Sequence, residues 1–267
     1  MKIPLIPILL ALTVPLLAAA HGRIEELSIE SKATGRTRKV DVYTPPGYSP
    51  QRAEPYPLLI CFDGMTYYQH EIPVPALLDD LSTSGKIPAM IAVFVDTSES
   101  RLQDLANNAK FAEFLGHELI PRIRSKWHVT VDPGRTIVAG ASAGGLGAAY
   151  VAFSRPDLFG NVITQSGAFW RGNESSNDAP YEWLTSQYAA APRKPIRLYI
   201  EVGTKENRHA VGVGPVFIEA NRRFRDTLAA KGYSIKYVEV PGADHEPGHW
   251  SRQFPEGLLW LVGQWDR

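Results

Sequence analysis

Short apolar runs alternate with amphipathic stretches along most of this chain. PLLICFDG (residues 57–64) has the length and apolarity of a buried strand, and AMIAVFVD (89–96), RTIVAGAS (135–142), NVITQSGAF (161–169), RLYIEVG (197–203) and IKYVEV (235–240) read as further strands. Between and after them lie segments with apolar residues at helical spacing: VPALLDDLSTSG (74–85), FAEFLGHELIPRIRSKW (111–127), GGLGAAYVAF (144–153), YEWLTSQYA (181–189), FIEANRRFRDTLAAKG (217–232) and EGLLWLVGQW (256–265). Ahead of this series, residues 24–44 read as two antiparallel strands, the second stopped by Pro45-Pro46-Gly47. Strands alternating with helices predict an α/β fold, a three-layer sandwich around a mostly parallel sheet. With no repeat, low-complexity tract or linker to divide it, residues 21–267 are expected to form one domain. The polar stretch RGNESSNDAP (171–180) is the best candidate for a loop over a site.

The first twenty residues break the pattern. Lys2 precedes an apolar run that ends in Ala18-Ala19-Ala20, the layout of a signal peptide with a small-residue cleavage site. The run is near the short end for a membrane span, and Pro4, Pro7 and Pro15 weaken a spanning helix, so residues 1–20 are expected to be a leader, with no stable membrane span after its removal. The expected location is periplasmic or secreted. Lys plus Arg equal Asp plus Glu at 28 each, leaving no basic footprint for nucleic acid. The single cysteine, Cys61, excludes an internal disulfide framework and reads as a small buried hydrophobe. No cluster has metal-ligand spacing, and no cofactor is implied.

Candidate chemistry centres on Gly140-Ala141-Ser142-Ala143-Gly144, a G-x-S-x-G motif. The motif alone arises by chance in roughly one chain in ten of this length. Here it follows a strand-like run and opens a helix-like one, the context of a nucleophile elbow. The small neighbours suit a sharp, strained turn, and the helix N-terminus favours developing negative charge. The ordinary alternative is a serine that merely caps a helix.

In a fold of this kind the acid and the histidine follow the serine in chain order. Glu206 lies just past the strand in RLYIEVGTKEN, and His245 lies in the loop after the last strand, in IKYVEVPGADHEPGHW. His245 would take the Ser142 proton and Glu206 would orient and stabilise the imidazole. His249 in the same loop, Glu201 within the strand and Asp244 beside His245 are their rivals. One oxyanion donor is expected from the backbone of Ala143, the other from Met65 or Gly64 in the turn after the first core strand.

These residues resemble the esterase D-type superfamily of α/β-hydrolases, and within it the enterochelin (ferric enterobactin) esterases in a short, periplasmic form. The resemblance runs from about Pro57 to the C-terminus. It rests on FDGMTYY; on Arg101, Leu105, Asn107, Phe111 and HELIPRI; on RTIVAGASAGGLGAAYVAFSRPDLFGNVITQSGAFW; on EVGTKEN; and on PGADHEPGHW. It implies that the second Glu of the E-x-G-x-x-E turn is Glu206, and that the histidine five residues before the loop tryptophan, Trp250, is the active one, which selects His245. The chain departs from the family in Ser251, where an Arg often follows the tryptophan, and in Ala243-Asp244-His245 for the usual Gly-Gly-His.

The resemblance implies a serine esterase that cleaves carboxylic esters through an acyl-enzyme, with a catecholate siderophore trilactone as substrate and any iron carried by that substrate. An aryl ester would meet Tyr67, Tyr68, Phe169, Trp170 and Trp250, and Arg101 and Arg171 would face an anionic ligand such as a ferric catecholate; each also reads as plain core or solvated surface. A feruloyl or acetyl carbohydrate esterase, an acyltransferase and a non-catalytic siderophore binder on the same fold remain as alternatives.

Overall fold

Residues 21–67, 71–172, 181–209 and 214–265 are described by this computed structural model. The apolar runs become the strands β3 (Leu58–Phe62), β4 (Ile91–Val95), β5 (Thr136–Ala141) and β6 (Asn161–Gln165), every residue of which is buried. Between two helical layers a strand has no solvent face, so it carries no polar alternation. β1 (Arg23–Ser31) and β2 (Arg36–Thr44) form the predicted hairpin, and β7 (Arg197–Gly203) and β8 (Ser234–Val240) complete the other side. One eight-stranded sheet results, in the order β1-β2-β4-β3-β5-β6-β7-β8. β1 and β2 run antiparallel; β4-β3-β5-β6-β7-β8 are parallel.

The helices are α1 (Val74–Thr83), α2 (Arg101–Leu105), α3 (Ala109–Glu113), α4 (Ile120–Lys126), α5 (Ala143–Ser154), α6 (Trp183–Ala190), α7 (Phe217–Ala230) and α8 (Pro247–Val262). α3 and α4 are joined through a wider π turn at Phe114–Leu119, so the predicted helix over 111–127 is continuous but not uniform. Two apolar clusters fill the spaces above and below the sheet, one holding Phe111, Phe159, Phe169 and Phe224, the other Tyr67, Tyr199, Trp250 and Phe254. β2 is tied to α2 by a buried ion pair, in which Arg38 Nη2 donates to Asp104 Oδ1 at 2.7 Å.

The closing helix departs from the sequence reading. It was expected at 256–265 but starts at Pro247 and carries Pro255 inside it. Pro255 looks like a first-turn proline, which is where proline is normally tolerated. The true first turn is Pro247, and the helix therefore takes in His249 and Trp250. Residues 1–20, and with them the expected leader, lie outside the described residues, as do Tyr68, His70 and residues 173–180 of the expected loop. No described helix is long and apolar enough to cross a membrane.

Candidate active site

Three neighbouring parallel strands end in the same way. The residue after β3 is Asp63, after β5 Ser142 and after β6 Ser166, and their φ angles are 54°, 58° and 46°. A non-glycine residue in the left-handed region costs of order 1–3 kcal/mol and persists only where its surroundings hold it. Here the three line up along the carboxyl edge of the sheet, where ligands bind in open α/β sheets.

Ser142 sits at the strand-to-helix turn with φ 58° and ψ −119° and makes no side-chain capping bond to α5. Helix capping is therefore not what its hydroxyl does. The turn is held from below by Ser142 N, which donates to Gln165 O at 2.8 Å, and by Ala168 N, which donates to Ser142 O at 2.9 Å. Two glycines are required by space. A Cβ on Gly140 would lie 2.3 Å from the Gly144 carbonyl, and one on Gly145 would lie 2.6 Å from Thr164 Oγ1.

The structure brings Glu206 and His245 together. His245 Nδ1 lies 2.6 Å from Glu206 Oε2, with the carboxylate side chain 1 % exposed and the imidazole 35 %. The other carboxylate oxygen, Oε1, accepts from Ser166 Oγ at 2.6 Å and from Gly203 N at 2.8 Å. The His245 loop can come this close because Gly203 has no side chain: a Cβ there would fall 2.4 Å from Ala243 O. Phe217 and Trp250 pack on the His245 ring, with centroids at 4.8 and 5.1 Å. No hydrogen bond joins the Ser142 hydroxyl to His245 among the described residues; such bonds commonly tighten only when substrate is bound.

The rivals are placed elsewhere. His249 is fully buried in the first turn of α8, not in the loop, and burial holds its imidazole below the usual histidine range. Glu201 is fully buried on β7, where burial, offset in part by the Gln165 amide, pushes its carboxyl up to about 8. Gln165 Nε2 donates to Glu201 Oε1 at 2.9 Å and to Trp250 O at 2.7 Å. Asp244 pairs with Arg208 at 2.8 Å on the surface.

Ala143 is the first residue of α5, so its N–H has no acceptor within the helix. Gly64 and Met65 open the helical turn after Asp63. A Cβ on Gly64 would lie 2.9 Å from the Phe94 backbone, so only glycine lets this turn lie against β4. Arg101 grips the turn: its Nε and Nη2 donate to Asp63 Oδ1 and Oδ2 at 2.8 and 2.7 Å, and Nη2 reaches Ala141 O at 3.3 Å. The guanidinium expected to meet an anionic ligand is thus first a brace between the turn after β3 and the end of β5. A cleft of about 230 Å³ beside them is lined by Asp63, Met65, Thr66, Tyr67, Asp96, Ser98, Arg101, Ala141 and Trp250.

The aromatic expectations need correction. Phe169 is fully buried and stacks on Phe224 at 3.9 Å, so it belongs to the core and does not face a substrate. Tyr67 is also fully buried, with its hydroxyl donating to Gln165 Oε1 at 2.9 Å, and contributes the floor of the cleft rather than a polar contact. Trp250 lines the cleft but shows only 7 % of its surface, its Nε1 donating to Ser166 Oγ at 2.8 Å. Trp170 is half-buried, with the Arg171 guanidinium 5.0 Å above its ring. Sequence reasoning missed Ser166 and Asp63: nothing in QSG or FDG marks a left-handed backbone, because the strain follows from where the neighbouring strands end.

An iron(III) enterobactin esterase of Dickeya dadantii is 28 % identical over 252 residues, covering 90 % of this chain and 55 % of its own length. This chain therefore spans about half the length of that relative. The crystal structure of the enterobactin esterase from Shigella flexneri in the presence of enterobactin superposes with a TM-score of 0.77 at 26 % identity, over 90 % of this chain and 59 % of that one. An endo-1,4-beta-xylanase/feruloyl esterase of Xylanibacter ruminicola is 25 % identical over 243 residues, 87 % of this chain and 30 % of its own length. The model of the Esterase family, described as "Putative esterase", matches residues 31–261, nearly all of the described structure, and the chain belongs to that family.

Proposed function

We propose that this protein is a serine hydrolase of carboxylic esters, with Ser142 as nucleophile, His245 as general base and acid, and Glu206 as the group that orients His245. The observation that carries the reading is the 2.6 Å contact between buried Glu206 and half-exposed His245, at the sheet edge that holds the left-handed Ser142.

In this mechanism Glu206 accepts from Nδ1, which leaves Nε2 free to take the Ser142 proton as Oγ attacks the ester carbonyl. The tetrahedral oxyanion is stabilised by the N–H groups of Ala143 and of Met65 or Gly64, with the α5 N-terminus adding its partial positive charge. His245 then gives its proton to the leaving alcohol, and an acyl-Ser142 ester remains. Water, deprotonated by the same imidazole, attacks that ester and restores the serine.

As substrate we propose an aryl-bearing ester of the catecholate siderophore class, with Met65, Trp170 and Trp250 offering apolar surface and Arg101 and Arg171 the positive charge. The enterobactin esterase relatives support this class. The feruloyl esterase relative supports a second reading, an aryl ester of a carbohydrate, which needs the same machinery. Export to the periplasm or beyond belongs to the proposal and rests on the leader-like composition of residues 1–20.

The test compares wild type with Ser142→Ala on a short aryl ester, on ferric and iron-free enterobactin and on a feruloylated arabinoxylan fragment, with products followed by chromatography. The proposal expects hydrolysis that falls by about a thousandfold or more in Ser142→Ala. Cleavage of enterobactin supports the siderophore class, and release of ferulate alone supports the second. A folded wild type with no Ser142-dependent turnover on any of them contradicts the esterase reading.

A further inference from the structure

Beneath the Glu206–His245 contact, four side chains close a ring. Trp250 Nε1 donates to Ser166 Oγ at 2.8 Å, Ser166 Oγ donates to Glu206 Oε1 at 2.6 Å, and Glu206 Oε2 accepts from His245 Nδ1 at 2.6 Å. The His245 ring then meets the Trp250 indole edge-on, at 5.1 Å between centroids and 89° between planes. Ser166 and Glu206 are buried, and Trp250 nearly so. Ser166, Glu206 and Trp250 come from three different elements: the end of β6, the turn after β7 and the first turn of α8.

We propose that Ser166 and Trp250 act as a positioning pair for His245. The structure assigns Ser166 the task of fixing the rotation of the Glu206 carboxylate, and Trp250 the double task of orienting the Ser166 hydroxyl and bracing the imidazole.

Bond directions support this. A serine hydroxyl has one proton to give, and the indole N–H can only donate. With Trp250 donating to the oxygen, the Ser166 proton is directed at Glu206, and the order of donors is fixed along the chain. Each bond polarises the next, so the set behaves as a unit rather than as separate contacts. Gly203 N donates to the same Oε1, so the carboxylate is held at two points and Oε2 is presented to His245. The left-handed backbone at Ser166 is what aims its hydroxyl this way: Ser166 N donates to Glu201 O at 2.7 Å, which anchors the residue across the strand ends. The buried His249 imidazole, with Nε2 3.4 Å from Ser166 Oγ, and Glu201 lie against the ring from within, and Asp244, Arg208 and His209 flank Glu206 and His245 on the outer side. A serine placed there for packing alone would need none of this.

The inference rests on the roles given to His245 and Glu206, and its test has one readout that needs no turnover. In the full chain, Ser166→Ala, Ser166→Gly and Trp250→Phe are compared, alone and as the pair Ser166→Ala/Trp250→Phe. Ser166→Gly removes the hydroxyl while easing the left-handed backbone, which keeps a folded variant available. The first readout is the hydrogen-bonded Nδ1 proton of His245, seen by proton NMR of histidine-labelled protein. The second is kinetics on the short aryl ester. The proposal expects the resonance to move or broaden in every variant, with kcat reduced roughly 10- to 100-fold and, in the Ser166 variants, KM changed less than about twofold. It expects the double variant to lose little more than the worse single one, as for residues acting as a unit. An unmoved resonance with wild-type kcat in Ser166→Gly and Trp250→Phe overturns it, and so do fully multiplicative losses. A resonance that depends on Ser166 in a protein that hydrolyses no ester leaves the positioning pair standing and sinks the esterase reading instead.

Discussion

At the scale of single residues, the site depends on positions that have no room to change. Gly140 faces the Gly144 carbonyl so closely that any Cβ must push α5 away from β5. Gly140→Ala is expected to destabilise the protein by about 3 kcal/mol, read from urea unfolding midpoints at unchanged m-value, and to abolish turnover in whatever fraction stays folded. A midpoint unchanged from wild type would mean that the elbow yields more easily than its contacts indicate. The strand-to-helix turn at Ser142 was legible because glycines, strand and helix all converge on it. Ser166 was not, because its importance arises from partners 40 and 84 positions away, Glu206 and Trp250. Phe169 shows the opposite error: an aromatic next to a site motif looks like a substrate contact, yet it stacks in the core.

At the scale of elements, the alternation of strands and helices was readable because buried parallel strands have a plain apolar signature. The hairpin of β1 and β2 and the parallel strands fall where that pattern put them, except that β6 stops at Gln165, before the left-handed Ser166, instead of running to Phe169. The start of α8 was not readable, since Pro247-Gly248 resembles a loop and Pro255 resembles a helix start. That one displacement moved His249 from a candidate loop residue to a buried helical one, and it carries Trp250 under the His245 ring. A second element-scale device is the Arg101 clamp, which joins α2 to the turn after β3 and to the end of β5. Its guanidinium is 39 % exposed and Asp63 only 11 %, so Arg101→Ala leaves a mostly buried carboxylate without its partner. The expected cost is about 1–2 kcal/mol, allowing for solvent at the arginine. Because Asp63 immediately precedes Gly64 and Met65, the proposed oxyanion donors, kcat on a neutral aryl ester is expected to fall as well, by roughly tenfold. Loss of binding to an anionic ester alone, with neutral-ester kcat unchanged, would make Arg101 a ligand contact and not a brace.

At the scale of the whole molecule, the parallel sheet lets β5, β6 and β7 place Ala141, Gln165 and Glu201 side by side in register, the first two each one residue before a strained serine, Ser142 and Ser166. The buried Gln165–Glu201 pair supports the site from within the core, and its carboxyl is held up to about 8, chiefly by burial. The folded protein keeps that proton where the unfolded chain has lost it. The stability it contributes is present at pH below the ordinary carboxyl value of 4.5 and is lost as pH rises through about 8. Within that window the slope is at most about 1.4 kcal/mol per pH unit. Glu201→Gln, which retains an acceptor for the Gln165 amide, is therefore expected to flatten the fall in stability between pH 5 and 8. Parallel wild-type and variant curves would refute a buried neutral carboxyl.

A Ser142 nucleophile activated by His245 and Glu206 is open to covalent capture. The full chain is treated with an aryl fluorophosphonate and the modified peptide is identified by mass spectrometry. A single adduct on Ser142 is expected, formed at least about a hundredfold more slowly in His245→Gln and slowed to a lesser degree in Glu206→Gln. An adduct on another residue, or labelling of Ser142 at the same rate without His245, would contradict it.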